Sequence, residues 1–178
     1  MTAARPGEGL SIRPAIEADL PVITEMFQEL AVLQKPWRVF APRSNVTEEM
    51  RRRFHADLVD PDAVVLVAEQ DDRVVGMAAG HVHKPSMMSE ELAVELGGVF
   101  VEPAHRGRGV AAALTAEVAR FAQERGVERI TLKTFAQNAE ALVAWERMGF
   151  EPRMVQMTAP AARLRAQDRA DPALGARS

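Results

Sequence analysis

The sequence predicts an α/β domain built on a mixed β-sheet. Apolar residues alternate between a period of two and a spacing of three to four along the chain, marking strands and helices in turn. The segments so marked run β-α-α-β-β-β-α-β-α-β, an order that calls for helices packed on a sheet with at least one parallel crossover. At 178 residues, 47% hydrophobic and 26% charged, the chain has the length and composition of one globular domain with a full core.

Each element has its own signal. Leu10–Ala15 (LSIRPA) reads as a short edge strand ended by Pro14. From Glu17 to Leu33 the residues Ile23, Met26, Phe27, Leu30 and Leu33 line one helical face, with Asp19 near the helix's positive end. QKPWRVFAPRSN breaks the pattern with two prolines and is an irregular loop. Asn45 with Glu48 three residues on predicts the cap of a second helix, whose stripe is Met50, Phe54 and Leu58. Arg51, Arg52 and Arg53 fall mostly off that stripe, on a solvated face. AVVLVAE is a continuous apolar run suited to a strand buried on both faces, and QDDR then turns the chain into VVGMAAGHVH as a hairpin. After the polar link KPSMMSEE, LAVELGGVFVEP is the next strand, its Gly97-Gly98 marking a bulge or a close backbone approach.

Val110, Leu114, Val118 and Phe121 form a further helical stripe stopped by Gly126. VERITLKTF alternates as a strand, NAEALVAWERM is a helix capped by Asn138 and stopped by Gly149, and FEPRMVQM supplies one last strand. Residues 1–9 are expected to be flexible, 10–158 to form the domain, and 159–178, rich in Ala and Arg with almost no large apolar side chains, to be a disordered tail.

Composition removes several function classes. There is no cysteine, hence no disulfide, thiolate metal site or cysteine nucleophile. The net charge of −3 argues against a nucleic-acid coat, and the arginines lack interleaved aromatics. No stretch has the apolar core of a signal peptide or the length of a membrane span, so a cytoplasmic protein without membrane contact is the default expectation.

The chemistry concentrates in VEPAHRGRGVAAALTAEVARF, Val101–Phe121. A helix mouth leaves backbone N–H groups without partners, and its dipole favours an anion there. Gly107 and Gly109 remove the side chains that would hold an anion away, while Arg106 and Arg108 add donors suited to phosphate. The stretch reads as a phosphate or pyrophosphate cradle, against the plainer reading of a surface turn with solvated arginines. It is not a P-loop, because no lysine lies between residues 85 and 132, and as a dinucleotide fingerprint it lacks the acidic ribose partner.

Arg106-Gly-Arg-Gly109-Val-Ala111 matches every fixed position of Arg/Gln-x-x-Gly-x-Gly/Ala, the pyrophosphate motif of the GNAT superfamily of acyl-CoA-dependent N-acetyltransferases. ELGGVFVEPAHRG resembles that family's fourth strand and the lead into the turn. NAEALVAWERMGF is similar to its second cofactor segment, and IRPAIEADLPVI to its first strand and helix. The resemblance spans Leu10 to Met157. It implies a single-domain fold of about six to seven strands flanked by about four helices, with the fourth and fifth strands splayed around a pantetheine arm.

It further implies acetyl-CoA as cosubstrate, no metal, and direct attack of a primary amine, on a small molecule or peptide, on the thioester. The amides of Gly107, Arg108, Gly109, Val110 and Ala111 would take the pyrophosphate. Backbone groups of Val99, Phe100 and Val101 would bind the arm, with the oxyanion near Phe100 or Val101, and Asn138 and Ala141 would contact the cofactor from the other side. Glu95 stands where relatives keep a general base, and burial is expected to raise its pKa toward the useful range. Trp145 occupies the position of the usual acid tyrosine, and the chain has no tyrosine at all. That departure sustains a rival reading, a non-catalytic acyl-CoA sensor. Trp37, Arg38, Phe40 and Arg43 sit in the loop that often borders the acceptor, and a homodimer is among the expected partners. His81 and His83 share a strand face but lack a third metal ligand in the sequence, and a role as base or acceptor contact suits them better.

Overall fold

The computed structural model describes residues 9–35, 45–83 and 92–164. The acceptor-loop residues Trp37, Arg38, Phe40 and Arg43, the link at 84–91 and residues 165–178 lie outside the described residues. Two compact units divide the chain, Met1–Ala141 and Leu142–Ser178.

The first unit holds a mixed sheet in the order β1-β2-β3-β4-β5. Its strands are β1 (Ser11–Pro14), β2 (Ala63–Gln70), β3 (Arg73–His83), β4 (Ala93–Val101) and β5 (Arg129–Leu132). All neighbours are antiparallel except β4 and β5, which run parallel. The helices are α1 (Leu20–Gln34), α2 (Val46–Asp57), α3 (Val110–Glu124) and α4 (Ala139–Arg147). The crossover through α3 is what a parallel pair requires.

Local chemistry sets each joint. Asp71 and Asp72 both have positive φ, 52° and 59°, the two-residue turn whose twist matches a hairpin. Asp19 closes the entry to α1, accepting from the Ile16 N–H at 2.9 Å and from Arg13 at 2.6 Å, while Arg13 also reaches Glu69 at 2.8 Å. The Arg13 hydrogen bond is the main reason the Asp19 carboxyl stays below the usual carboxylate range despite its burial. Asn45 does not cap α2 with its side chain; its Nδ2 donates instead to Glu49 Oε1 at 2.7 Å.

The sheet is covered on both faces. Ile23 and Met26 from α1 and Phe54 from α2 pack with Val65, Val67, Met77 and Phe100, with Phe27, Leu30, Met50 and Leu58 around them. On the other face α3 buries Val110, Leu114, Val118 and Phe121. Gly76 shows how tightly this second layer sits, because a Cβ there would lie 2.9 Å from the Phe100 carbonyl oxygen and 3.4 Å from Leu114 and Val110. Gly76→Ala is therefore expected to cost about 1–3 kcal/mol of stability, as overpacking against backbone does, read as a lower midpoint in urea unfolding.

Among the described residues the sheet has five strands, fewer than the six to seven the family resemblance implied. FEPRMVQM forms no strand: residues 150–157 take no regular secondary structure, and Met154, Val155 and Met157 are exposed. Alternation marks a segment able to be a strand, but a strand exists only where an edge pairs with it. Beyond it, residues 161–164 make one helical turn.

Candidate functional site

A bulge in β4 organises the site. Gly76 to Ala79 pair with Val101 to Gly98, but Gly80 pairs with Leu96, which leaves Gly97 as the extra residue. Since side chains alternate across a strand, one inserted residue reverses which face the rest of the strand presents. Phe100 faces the α1 side opposite Met77; through the bulge, Glu95 shares that side opposite His81. Were Gly97 an ordinary ladder residue instead of a bulge, strict alternation would turn the carboxylate toward α3. The doublet Gly97-Gly98 is thus the bulge the sequence suggested, and its effect is to aim Glu95.

The β4–β5 ladder stops at the same place. It pairs Ala93 with Arg129, Val94 with Ile130, Glu95 with Thr131 and Leu96 with Leu132, and goes no further. From Gly97 to Val101, β4 continues without β5 beside it. The Glu102 N–H donates to the Val75 carbonyl at 2.9 Å, so by antiparallel alternation the backbone of Phe100 faces β3 and that of Val99 and Val101 faces the open side. The backbone of Val99 and the N–H of Val101 hence face the open side, where an extended ligand could pair, while the Val101 carbonyl accepts from Arg106. Phe100, grouped with them by the family resemblance, turns its backbone toward β3 and buries its side chain, 3% exposed, in the core.

Beyond Val101 the chain makes a helical turn at Pro103–His105 and enters α3. Gly107 and Gly109 have φ of 71° and 83°, the left-handed region that L side chains rarely adopt. A Cβ at Gly107 would meet nothing within 4 Å, so backbone shape and open space, rather than crowding, distinguish the turn. The first helical closure is Ala113 N–H to Gly109 C=O at 2.9 Å. The amides of Val110, Ala111 and Ala112 precede that closure and have no acceptor within the helix. Arg106 is partly occupied: its Nε donates to the Val101 carbonyl at 3.0 Å and its guanidinium lies 5.8 Å from the Phe100 ring centroid. It ties the turn to the end of β4, leaving its terminal nitrogens for an anion.

Glu95 is half-buried, and Lys133, just past β5, donates to its Oε1 at 2.9 Å. The expected rise in its pKa is corrected here. Burial is the largest influence and pushes the carboxyl up. The Lys133 hydrogen bond and charge, with the charges of His81 and His83, together outweigh it and hold Glu95 below the ordinary range. Lys133 was missed on the sequence because nothing local reveals the register between two strands separated by a helix.

Asn138 caps α4, accepting from the N–H of Ala141, the other residue expected to contact the cofactor, at 3.1 Å. In the second unit, the Trp145 ring meets Phe150 edge-on at 5.4 Å. His105 Nδ1 is buried 3.3 Å from Glu102 Oε2 without hydrogen-bond geometry, as suits a residue fixed in the turn. Two shallow surface hollows lie beside Ile16 and Leu58 and between Met26 and Arg73, the second lined also by Phe100 and Glu102. No helix among the described residues is long and apolar enough to cross a membrane.

Comparison with known proteins bears on the family and the fold. Human N-acetyltransferase 8 is 29% identical over 119 residues, 66% of this chain and 51% of that protein. A mycothiol acetyltransferase of Segniliparus rotundus is 29% identical over 103 residues, 58% of this chain and 38% of its own. The chain thus spans about half or less of the length of these curated relatives. A predicted acetyltransferase of Clostridium acetobutylicum, solved with acetyl-CoA, superposes with a TM-score of 0.68 over 86% of this chain and 97% of that one, at 17% identity, a likeness of fold. The family model of the acetyltransferase (GNAT) family matches residues 27–150, and the chain, with its bulged fourth strand and glycine-lined helix mouth, belongs to that family.

Proposed function

We propose that this chain is an N-acetyltransferase that moves an acetyl group from acetyl-CoA to a primary amine on a small molecule or peptide. One observation carries the reading: β4 loses its parallel partner at Leu96 and runs open-edged straight into the helix mouth at Gly107–Ala112. An extended, amide-rich arm ending in a pyrophosphate is the ligand shape that this strand-then-cradle path fits. Acetyl-CoA, when bound, supplies an activated thioester carbonyl.

The chain's own residues supply the rest. Val99 and Val101 bind along the open edge, and the amides of Val110 and Ala111, with the terminal nitrogens of Arg106 and Arg108, hold phosphate charge. Glu95 stands on the opposite side of the sheet from α3 and accepts a proton from the incoming ammonium, directly or through water. An aliphatic amine with a pKa near about 10.4 is mostly protonated at neutral pH, so this removal is a real requirement. A carboxylate held low is ionised at neutral pH and ready to accept, although a weaker base than one raised by burial. Small-molecule acceptors gain support from solved relatives, an aminoglycoside acetyltransferase with sisomicin and a glucosamine-6-phosphate N-acetyltransferase.

The absence of any tyrosine favours the second reading, an acyl-CoA sensor, since the proton for a departing thiolate then has no phenol source. A thiol of pKa near about 8.5 leaves tolerably as its anion, which keeps the enzyme the better reading. Thiol release from acetyl-CoA across an amine panel, beside calorimetry of acetyl-CoA binding, separates the two. Turnover with at least one amine is the expected result. Binding without turnover anywhere in the panel establishes the sensor, and no binding rejects both.

A further inference from the structure

We propose that His81, His83 and Glu95 form a binding site for a divalent ion of the zinc class, and that its occupancy silences Glu95 as a base. The three residues converge because of the bulge. His81 and Glu95 are direct partners across the β3–β4 ladder, and His83, two residues further along β3, projects from the same face. One ligand atom from each lies within 4.8 Å of the others. Tetrahedral zinc, with bonds of about 2.0–2.2 Å, sets its ligand atoms on the order of 3.3–3.5 Å apart. Turning the ends of three side chains closes that difference, and His83 is exposed and free to turn.

The donor set suits the ion. Two imidazoles and one carboxylate leave a fourth position for water, the protein ligand count of open zinc sites. An all-oxygen cation such as magnesium would find only one hard ligand here. The obstacle is Lys133, which holds Glu95 in the metal-free chain. Its side chain is 85% exposed, so it can swing into solvent when a metal takes the carboxylate.

A bound ion would use the Glu95 lone pairs that otherwise accept the amine's proton. The inhibitory half of the proposal rests on the role of Glu95 proposed above; the binding half does not. The test is titration of the full chain, freed of metal by chelator, with cobalt(II), whose visible absorption reports four-coordinate nitrogen and oxygen ligation, followed by competition with zinc. One equivalent is expected to bind. His81→Ala and His83→Ala should each weaken binding by at least about tenfold. Lys133→Met should tighten it, which a merely structural lysine would not do, and His55→Ala should change nothing. Since His83 is exposed, its variant keeps the test intact if the His81 variant fails to fold.

In thiol-release assays zinc should abolish turnover at one equivalent, and chelator should restore it. No saturable one-to-one binding, or binding indifferent to His83→Ala, overturns the site. Binding that leaves turnover unchanged overturns the inhibitory half. A wild-type chain that binds cobalt(II), while metal-free Glu95→Gln keeps full turnover, overturns the role of Glu95 and leaves the site standing.

Discussion

Gly109→Val is expected to weaken acetyl-CoA binding by at least about 100-fold, corresponding to the loss of two amide hydrogen bonds to charged oxygen at about 1.5 kcal/mol each. Gly109 caps α3 at φ 83°, and the next three amides are the donors of the proposed cradle. A β-branched side chain fills the mouth in front of them and is also poorly suited to that backbone. The left-handed conformation adds a stability cost of about 1–2 kcal/mol, so calorimetry must be run on protein verified as folded by circular dichroism. Gly109→Ala separates the effects: it carries most of the backbone strain with far less bulk, and should lose stability without losing binding to the same extent. A folded Gly109→Val protein that binds acetyl-CoA like the wild type would remove the cradle from the binding site.

Glu95→Gln is expected to lower turnover by about 100- to 10,000-fold, the range of a positioned general base, with acetyl-CoA affinity unchanged. The pH profile gives the finer test, measured with chelator present. A base works only when deprotonated, so activity on the acid side should fall as pH drops through the pKa of Glu95. That pKa lies below the ordinary carboxylate value because the Lys133 bond and the cationic neighbours outweigh burial. Lys133→Met removes the hydrogen bond and charge while burial remains, so the acid limb should move to higher pH. An acid limb that stays in place in Lys133→Met, or full activity in Glu95→Gln, would assign the proton to another group.

Much of this site was legible because its parts are local. The Asp71-Asp72 turn, the Asn138 cap and the Arg106–Ala111 motif each rest on a few consecutive residues with specific backbone needs, and each formed where the sequence put it. Even the bulge was readable from Gly97-Gly98, although not its consequence. What escaped was non-local. Glu95 meets Lys133 only because β5 returns parallel to β4 in one particular register, and meets His81 only because Gly97 shifts another. Weighing burial alone gave the wrong direction for the carboxyl. Two histidines without a visible third ligand gained one for the same reason. The final segment failed oppositely, since its alternating apolar residues carried no information about whether an edge would receive it.

The short β4–β5 ladder has a consequence for how the protein opens. β2 and β3 are held over eight residue pairs and begin as a local hairpin, whereas β5 has only four pairs, with a neighbour it reaches across all of α3. Cooperative openings follow such seams, releasing first what is held by few and distant contacts. In native-state hydrogen exchange the amides of Ile130 and Leu132 should therefore exchange well before those of Val65 and Val67, through an opening that leaves the antiparallel strands intact. The same seam borders the groove, so acetyl-CoA should slow exchange in β5 more than in β2, and uniform protection across the sheet would show that the seam does not open on its own.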